Sequence, residues 1–390
     1  MSERTKADAT LRGAVERGEV PGVVAMATNG QDVTYEGAFG ARELGQAKPM
    51  TPDTVFWIHS MTKAIAGAAV MQLVEQGRLG LDDDAGRLVP ALAKPRVLEG
   101  FGADGTPRLR PARGAITLRR LLTHTAGFVY DVWNENMLAY MAHTRLPRSA
   151  TFERPEDCLP LAFDPGTRWE YGVNIDWAGK VLEAVTGDTL DAYMQKNILG
   201  PLGMTSTGYL LRPEISRRLA GVHQRHPDGR LEAAPYDPPQ RPADFMGGGG
   251  LYGTAGDYVR FIRMMLNGGV LDGVRVLKSE TVRLMGESHT GVIDVEVMRT
   301  ARPMSSGDAE FWPGTKKKWG LTFLINTEDV PGGRAAGSLC WAGLRNTYFW
   351  IDPKRGVGGT IMTQILPFVD PAVLRLYEAF ERDVYRIAKG

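Results

Sequence analysis

Ser60 and Lys63 stand three residues apart at the start of a stretch, Ser60 to Gly77, in which no charged residue follows Lys63 until Glu75. The intervening turns are Ala, Gly, Ile, Val, Leu and Met, and a helix that is apolar almost all round is a buried one. Residues at i and i+3 share a face, so a hydroxyl and an amine sit together at the mouth of that helix. Burial disfavours the ammonium form and makes the lysine a proton acceptor for the neighbouring hydroxyl. Backbone N–H groups at a helix start favour negative charge developing on the serine side. On the tetrapeptide alone, Ser60 reads equally well as a helix cap and Lys63 as a snorkelling side chain, so other stretches must decide.

Tyr171 lies between a tight turn, Pro165-Gly166-Thr167, and a helix marked by Ile175, Ala178, Leu182 and Val185 and stopped by Gly187. It can simply pack; beside Lys63, however, a phenol is drawn toward its ionised form and can relay protons. In Trp341-Ala342-Gly343-Leu344, small residues on a strand edge let backbone approach a substrate closely. His124, in the turn Thr123-His124-Thr125-Ala126-Gly127, reads as a satisfied polar group at a helix end rather than a base.

Other chemistries lack their signatures. There is no G-x-S-x-G nucleophile elbow and no H-E-x-x-H, and His223-Gln224-Arg225-His226 has the wrong centre for the latter. Gly248-x-Gly250-x-x-Gly253 matches a dinucleotide pattern in form, but a Pro-rich loop leads into it and no βαβ unit surrounds it. No metal site or cofactor is expected.

The 390 residues exceed one ordinary core, with 43% hydrophobic and 23% charged residues. A net charge of +1 offers no general attraction to nucleic acid or an anionic membrane, and Lys316-Lys317-Lys318 reads as solvated loop charge. Met1 to Glu19 has no apolar core of a secretory signal, and the apolar runs are too short to span a bilayer. Cys158 and Cys340 fit no metal or redox spacing and read as free thiols, which suggests a cytoplasmic protein. The oligomeric state is not readable from the sequence.

The elements that must hold Ser60 and Lys63 follow from patterning. A helix over 3–17 leads into a hairpin, 22–28 and 32–39, turned at Asn29-Gly30. Residues 79–114 read as a loop-rich crossover, Thr117 caps 118–122, and Thr189 caps 190–197. Residues 226–244 read as a loop. Thr254-x-x-Asp257 starts a helix over 258–266. Strands follow at 319–326, 337–341, 345–351 and 358–364, and a helix over 372–387 covers them. The expectation is an α+β fold, an antiparallel sheet flanked by helices with an inserted mainly helical lobe: 1–85 and 245–390 form the sheet lobe, 86–244 the insert.

Taken together, Ser60-x-x-Lys63, Tyr171, Trp341-x-Gly343, Leu121 to Gly127 and Gly247 to Leu251 resemble the serine β-lactamase-like superfamily, nearest its family VIII carboxylesterases, relatives of class C β-lactamases. The resemblance runs from about residue 10 to 385 and implies a β-lactamase and penicillin-binding-protein-like fold. It implies Ser60 as acylated nucleophile, Lys63 as base partner and Tyr171 as proton relay, with the N–H groups of Ser60 and Leu344 as oxyanion hole. Two departures stand out: Val173 occupies the Asn position of Y-x-N, with Asn174 one later, and Trp341-Ala342-Gly343 replaces K-T-G, so a cation for a β-lactam carboxylate is missing.

The resulting expectation is a serine carboxylesterase acting on small to medium neutral esters without a cofactor. Its alternatives are an acyltransferase on the same fold, a β-lactamase or D-amino-acid peptidase, and a catalytically silent binding protein. Trp341, Gly343, Tyr130, Trp133, Asn174 and Arg345 are the expected substrate contacts. Trp57, Phe128, Tyr252 and Trp350 are further candidates for the pocket.

Overall fold

The computed structural model describes residues 3–146, 159–235 and 244–389. Cys158 and most of the Pro-rich stretch after Pro235 lie outside them; Cys340 is a buried free thiol. The centre is a seven-stranded sheet in the spatial order Lys317–Trp319, Leu324–Asn326, Leu339–Gly343, Thr347–Asp352, Val357–Met362, Gly22–Thr28, Val33–Gly40. Every pairing within it is antiparallel. The fold is α+β, with helices on both faces of the sheet.

Two adjacent glycines show how those faces are covered. Side chains alternate across a strand, and a Cβ at Gly358 would meet Ile262 of the Ala255–Leu266 helix, whereas one at Gly359 would meet the Trp350 indole. That indole in turn packs on Tyr377 and Phe380 of the Pro371–Ile387 helix. One face thus carries the 255–266 helix, and the other carries the C-terminal helix, with the Glu3–Glu16 helix packed beside it. The missing side chains at 358 and 359 let both layers close onto the sheet.

The helix Thr62–Glu75 is buried at every position from Thr62 to Leu73. Its Gly67 lies against Thr322, whose side chain is 2.5 Å from where a Cβ would stand, so only glycine permits the approach. Ser60 itself precedes this helix, in a 3₁₀ turn, His59–Met61.

Several expectations need correction. The crossover at 79–114 contains an antiparallel hairpin, Arg96–Phe101 with Pro107–Pro111, which its prolines and glycines disguise. The run 319–326 is two strands joined by a tight turn in which Thr322 has φ 78°, and Lys317 and Lys318 belong to the first of them. Lys317 is buried and lies 3.7 Å from Glu310, and Lys318 lies 2.7 Å from Asp294, so the basic run is not simply solvated. Residues 223–225 and 231–233 pair as a hairpin beside Ile365–Leu366. A helix at Glu135–Thr144, capped by Asn134, was not anticipated.

Candidate active site

The chain enters the site through the short strand Phe56–Trp57, turns at His59 with φ 45°, and presents Ser60 at the rim of a cavity of about 230 Å³. A positive φ is uncommon for a non-glycine residue and costs conformational energy that the surroundings must meet. The His59 ring stacks on Trp57 with centroids 3.8 Å apart. One helical turn inward, Lys63 is wholly buried. Its Nζ donates to Gly248 O at 2.5 Å, to Tyr130 OH at 3.1 Å and to Ser60 Oγ at 3.2 Å. No carboxylate is in contact with it among the described residues. Desolvation lowers the Lys63 pKa from 10.5 to about 7, against a smaller upward pull from Asp176.

Tyr171 arrives from the opposite wall on the turn before the helix Asn174–Thr186. Gly172 permits this: a Cβ there would be 2.1 Å from Phe128 O, so the Tyr171 backbone can lie against 128–130, where Tyr130 N–H donates to Tyr171 O at 3.2 Å. The phenol accepts a bond from Trp341 Nε1–H at 2.9 Å, and it lines the same cavity as Ser60. Its ring contacts those of Tyr130, Trp133, Trp319, Trp341 and His124. Lys63 Nζ sits over the face of this ring, 4.7 Å from its centroid. Burial therefore raises the Tyr171 pKa, contrary to the expectation of a phenol drawn toward ionisation. The amine that would have favoured phenolate is only partly protonated near pH 7 and faces the ring.

The strand Leu339–Gly343 closes the site. A Cβ at Gly343 would lie 2.4 Å from Ile58 O, so glycine alone allows this strand to reach the backbone entering Ser60. Leu344, next in the chain, lines the same cavity as Ser60. Trp133 also lines it, its Nε1–H donating to Ser306 Oγ at 3.0 Å.

Three expected substrate contacts fall elsewhere: Gly343 packs on Ile58 and does not itself line the cavity. Asn174 is fully buried, its Nδ2 donating to Phe128 O at 2.8 Å and lying 3.0 Å from His124 Nδ1; being the first helical residue, it turns away from the cavity and ties two loops together. Arg345 lies 4.4 Å over the Trp57 ring and lines a second recess behind it, with Tyr252, Gln364 and Glu43. Phe128 and Trp350 are core residues, whereas Trp57 forms a wall common to both hollows. His124 is buried at the end of its helix with φ 57°; its Nδ1 accepts from Gly172 N–H at 3.3 Å, whereas its Nε2 is buried without a hydrogen-bond partner among the described residues, so the expectation of a satisfied polar group holds for one ring nitrogen only.

Sequence reasoning missed Asp176 and Gly248. Asp176 lines the cavity on the helix after Tyr171, and its Oδ1 accepts from Gly248 N–H at 2.9 Å. An acidic residue in a first helical turn reads as a favourable partner for the helix dipole, which conceals any other use. Asp131 also lines the cavity, and the rest of its wall is mainly apolar, with Val129, Val132, Met141, Leu159, Trp177, Met246 and Phe368. Among the described residues no lysine or arginine lines it. No helix is long and apolar enough to cross a membrane, and no cluster of three or more metal-binding side chains occurs, among those residues.

The chain is 34% identical to monacolin J acid methylbutanoyltransferase of Aspergillus terreus, over 97% of its own length and 94% of that protein. It is likewise 34% identical to lovastatin esterase of Penicillium rubens, over 97% and 98%. The unliganded structure of simvastatin synthase from Aspergillus terreus superposes with a TM-score of 0.84 at 31% identity, each chain covered in full. A family model described as beta-lactamase matches residues 7–382, and the chain belongs to that family as an enzyme of its serine-hydrolase-like branch, related to carboxylesterases and acyltransferases of small ester and acyl substrates.

Proposed function

We propose that the chain is a serine acyltransferase: it takes an acyl group from an ester donor onto Ser60 Oγ and passes it to the hydroxyl of a bulky apolar alcohol, with water as the competing acceptor. The sequence reading set hydrolysis first and transfer second. The relatives favour the reverse order, since those named as acyltransferases outnumber the esterase that matches at the same identity. The observation that carries the proposal is the apolar wall around Ser60. An alcohol that buries its hydrocarbon body gains about 25 cal/mol per Å² removed from water, which a competing water molecule does not.

The proton inventory supports a division of labour between Lys63 and Tyr171. A neutral amine has two N–H groups and one lone pair. Gly248 O can only accept, and with Tyr130 OH it engages the two N–H groups, leaving the lone pair for the Ser60 proton. Tyr171 accepts from Trp341, so its own proton is free to point at Ser60 Oγ. In this scheme Lys63 takes the proton as Oγ attacks the donor carbonyl, and the N–H groups of Ser60 and Leu344 hold the resulting oxyanion. Collapse breaks the bond to the leaving alkoxide, which receives the Tyr171 proton, and the Lys63 ammonium restores the phenol. Deacylation runs the same steps in reverse with the acceptor hydroxyl in place of the leaving alcohol.

Substrates should be neutral near the acyl group. Asp176 lines the cavity, as does Asp131, which is paired with Arg302, and no lysine or arginine lines it among the described residues, so an anionic β-lactam finds no charged partner there. The test supplies an aryl ester of a short acyl chain together with a bulky apolar alcohol and measures aryl release, free acid and new ester. Transfer predicts new ester that saturates with alcohol while free acid falls. Free acid alone at every alcohol concentration would return the chain to the esterases.

A further inference from the structure

Asp176 is only 5% exposed, yet among the described residues no lysine, arginine or histidine forms an ion pair with it. Leaving a buried carboxylate without a contacting cation is costly, and such a group persists where it serves another purpose. Its neighbour is backbone. Gly248 N–H donates to Asp176 Oδ1 at 2.9 Å, and Gly248 O accepts from Lys63 Nζ at 2.5 Å. A Cβ at position 248 would stand 2.5 Å from Asp176 Oδ2, so glycine is what allows the loop to seat on the carboxylate. One residue is thus clamped between acid and amine.

We infer that Asp176 is a positioning residue for Lys63: by anchoring Gly248 it fixes the carbonyl that turns the amine's lone pair toward Ser60, and its negative charge, held one residue away, tunes the lysine's protonation. This rests on the reading of Lys63 as the base. The separation matters, because a carboxylate in direct contact would lock the lysine as ammonium, whereas no carboxylate at all would leave it with burial alone. Burial raises the Asp176 pKa, opposed chiefly by the charge of Lys63 and by the Gly248 N–H bond, and more weakly by Lys180, one turn along the same helix. The other titratable groups that feel the carboxylate are the phenols of Tyr130, Tyr171 and Tyr209, which burial keeps neutral. His59 and His124 face Lys63 rather than Asp176, and burial keeps both imidazoles neutral as well.

Two variants separate anchor from charge. Asp176→Asn keeps an acceptor oxygen for Gly248 N–H and removes the charge; Asp176→Ala removes both. Lysine ¹³Cε labelling, with the Lys63 signal assigned by its loss in Lys63→Arg, reads the lysine's titration independently of turnover. The midpoint in the unaltered protein should fall near 7. In Asp176→Asn it should drop by roughly one pH unit, as expected for loss of a nearby opposite charge. The acid limb of kcat/KM for a neutral aryl ester should move with it. In Asp176→Ala, kcat should fall by roughly 10- to 100-fold with KM little changed, the signature of a mispositioned reacting group. An unmoved Lys63 midpoint in Asp176→Asn overturns the proposal, and this variant carries the test should the alanine variant not fold. A Lys63 midpoint that moves while the kcat/KM profile stays put supports the charge coupling and removes Lys63 as the base.

Discussion

Lys63 and Arg334 are both entirely shielded from solvent, and the chain treats them in opposite ways. Arg334 is matched charge for charge: Nε donates to Glu381 Oε1 at 2.9 Å, Nη2 to Glu381 Oε2 at 2.6 Å and to Tyr377 OH at 2.5 Å. Its guanidinium also lies over the rings of Trp312 and Trp350. Lys63 meets a carbonyl and two hydroxyls, all uncharged acceptors, with its nearest carboxylate held behind Gly248. Against the downward pull of burial, the Glu381 carboxylate and Tyr377 raise the Arg334 pKa well above its ordinary value, while burial without a contacting anion brings Lys63 down to about 7. A cation that must only hold two elements together is locked in charge; one that must exchange a proton is left poised to lose it.

The largest effect that tests this contrast is expected for Lys63→Met. Loss of the base should lower kcat/KM by roughly 10⁴-fold, in the range seen when one member of a catalytic unit is removed. The same change should stabilise the fold. The folded-state pKa of about 7 lies below the ordinary lysine value of 10.5, so between those values the unfolded chain holds more protons and stability rises with pH. Below pH 7 the native state bears the whole cost of the buried ammonium, on the order of a few kcal/mol. The Tm gain of Lys63→Met should therefore be greatest at or below pH 7 and fade toward pH 10.5. An inactive variant that is also less stable at pH 6 would show that Lys63 is part of the scaffold, like Arg334.

Glu381→Ala should do the reverse. It leaves Arg334 buried and uncompensated, which typically costs about 3–5 kcal/mol. Chemical denaturation should show that loss, while kcat/KM per folded molecule stays within about twofold, the size expected of a change remote from the chemistry. A comparable fall in kcat/KM would mean that the clamp also shapes the site.

The third difference is in pH dependence. Since Lys63 must be neutral to accept the Ser60 proton, kcat/KM for a neutral ester should rise about tenfold per unit up to a midpoint near 7 and then level. Tyr171, raised by burial, should add no descending limb below pH 10. A profile flat from pH 5 to 9 would remove Lys63 as the titrating base.

What the sequence revealed of this contrast follows from the reach of its signals. Ser60 and Lys63 are neighbours on one turn, and the run of small apolar residues after them marks a buried helix, so the buried amine was legible locally. The glycine before Leu344 was legible as a place of close approach, and Tyr171 as a phenol between a tight turn and a helix. The partners that decide the lysine's protonation were not: Tyr130 lies 67 residues from Lys63 and Gly248 lies 185 residues away, and no periodicity links them. Asp176 was hidden because a carboxylate in a first helical turn already has an ordinary explanation. Asn174 and Arg345 erred the other way, since proximity in sequence to Tyr171 and Gly343 was taken for proximity to the cavity. In the fold, ends and caps such as Thr117, Thr254 and Gly187 were read correctly because capping is local. The split of 319–326 was missed because its turn places the β-branched Thr322 at φ 78°, against propensity.

The smallest expected effect belongs to Trp341, which replaces the cation of K-T-G and so bears on what the site exchanged for charge. Its Nε1–H donates to Tyr171 OH at 2.9 Å, and its ring packs on those of Tyr171 and Trp319 at 4.8 and 4.7 Å. Trp341→Phe keeps much of the packing and removes the donor. A neutral hydrogen bond contributes about 0.5–1.5 kcal/mol, which corresponds to roughly a two- to tenfold loss in kcat if the bond aims the phenol at Ser60. Tyr171→Phe should cost far more, about 10²- to 10⁴-fold, as loss of the general acid itself. In the double variant the Trp341 contribution should vanish, because its donor acts only through the phenol oxygen. If Trp341→Phe instead raises KM and leaves kcat unchanged, the indole is a wall for the substrate, and the phenol is aimed by Ser60 and the surrounding rings.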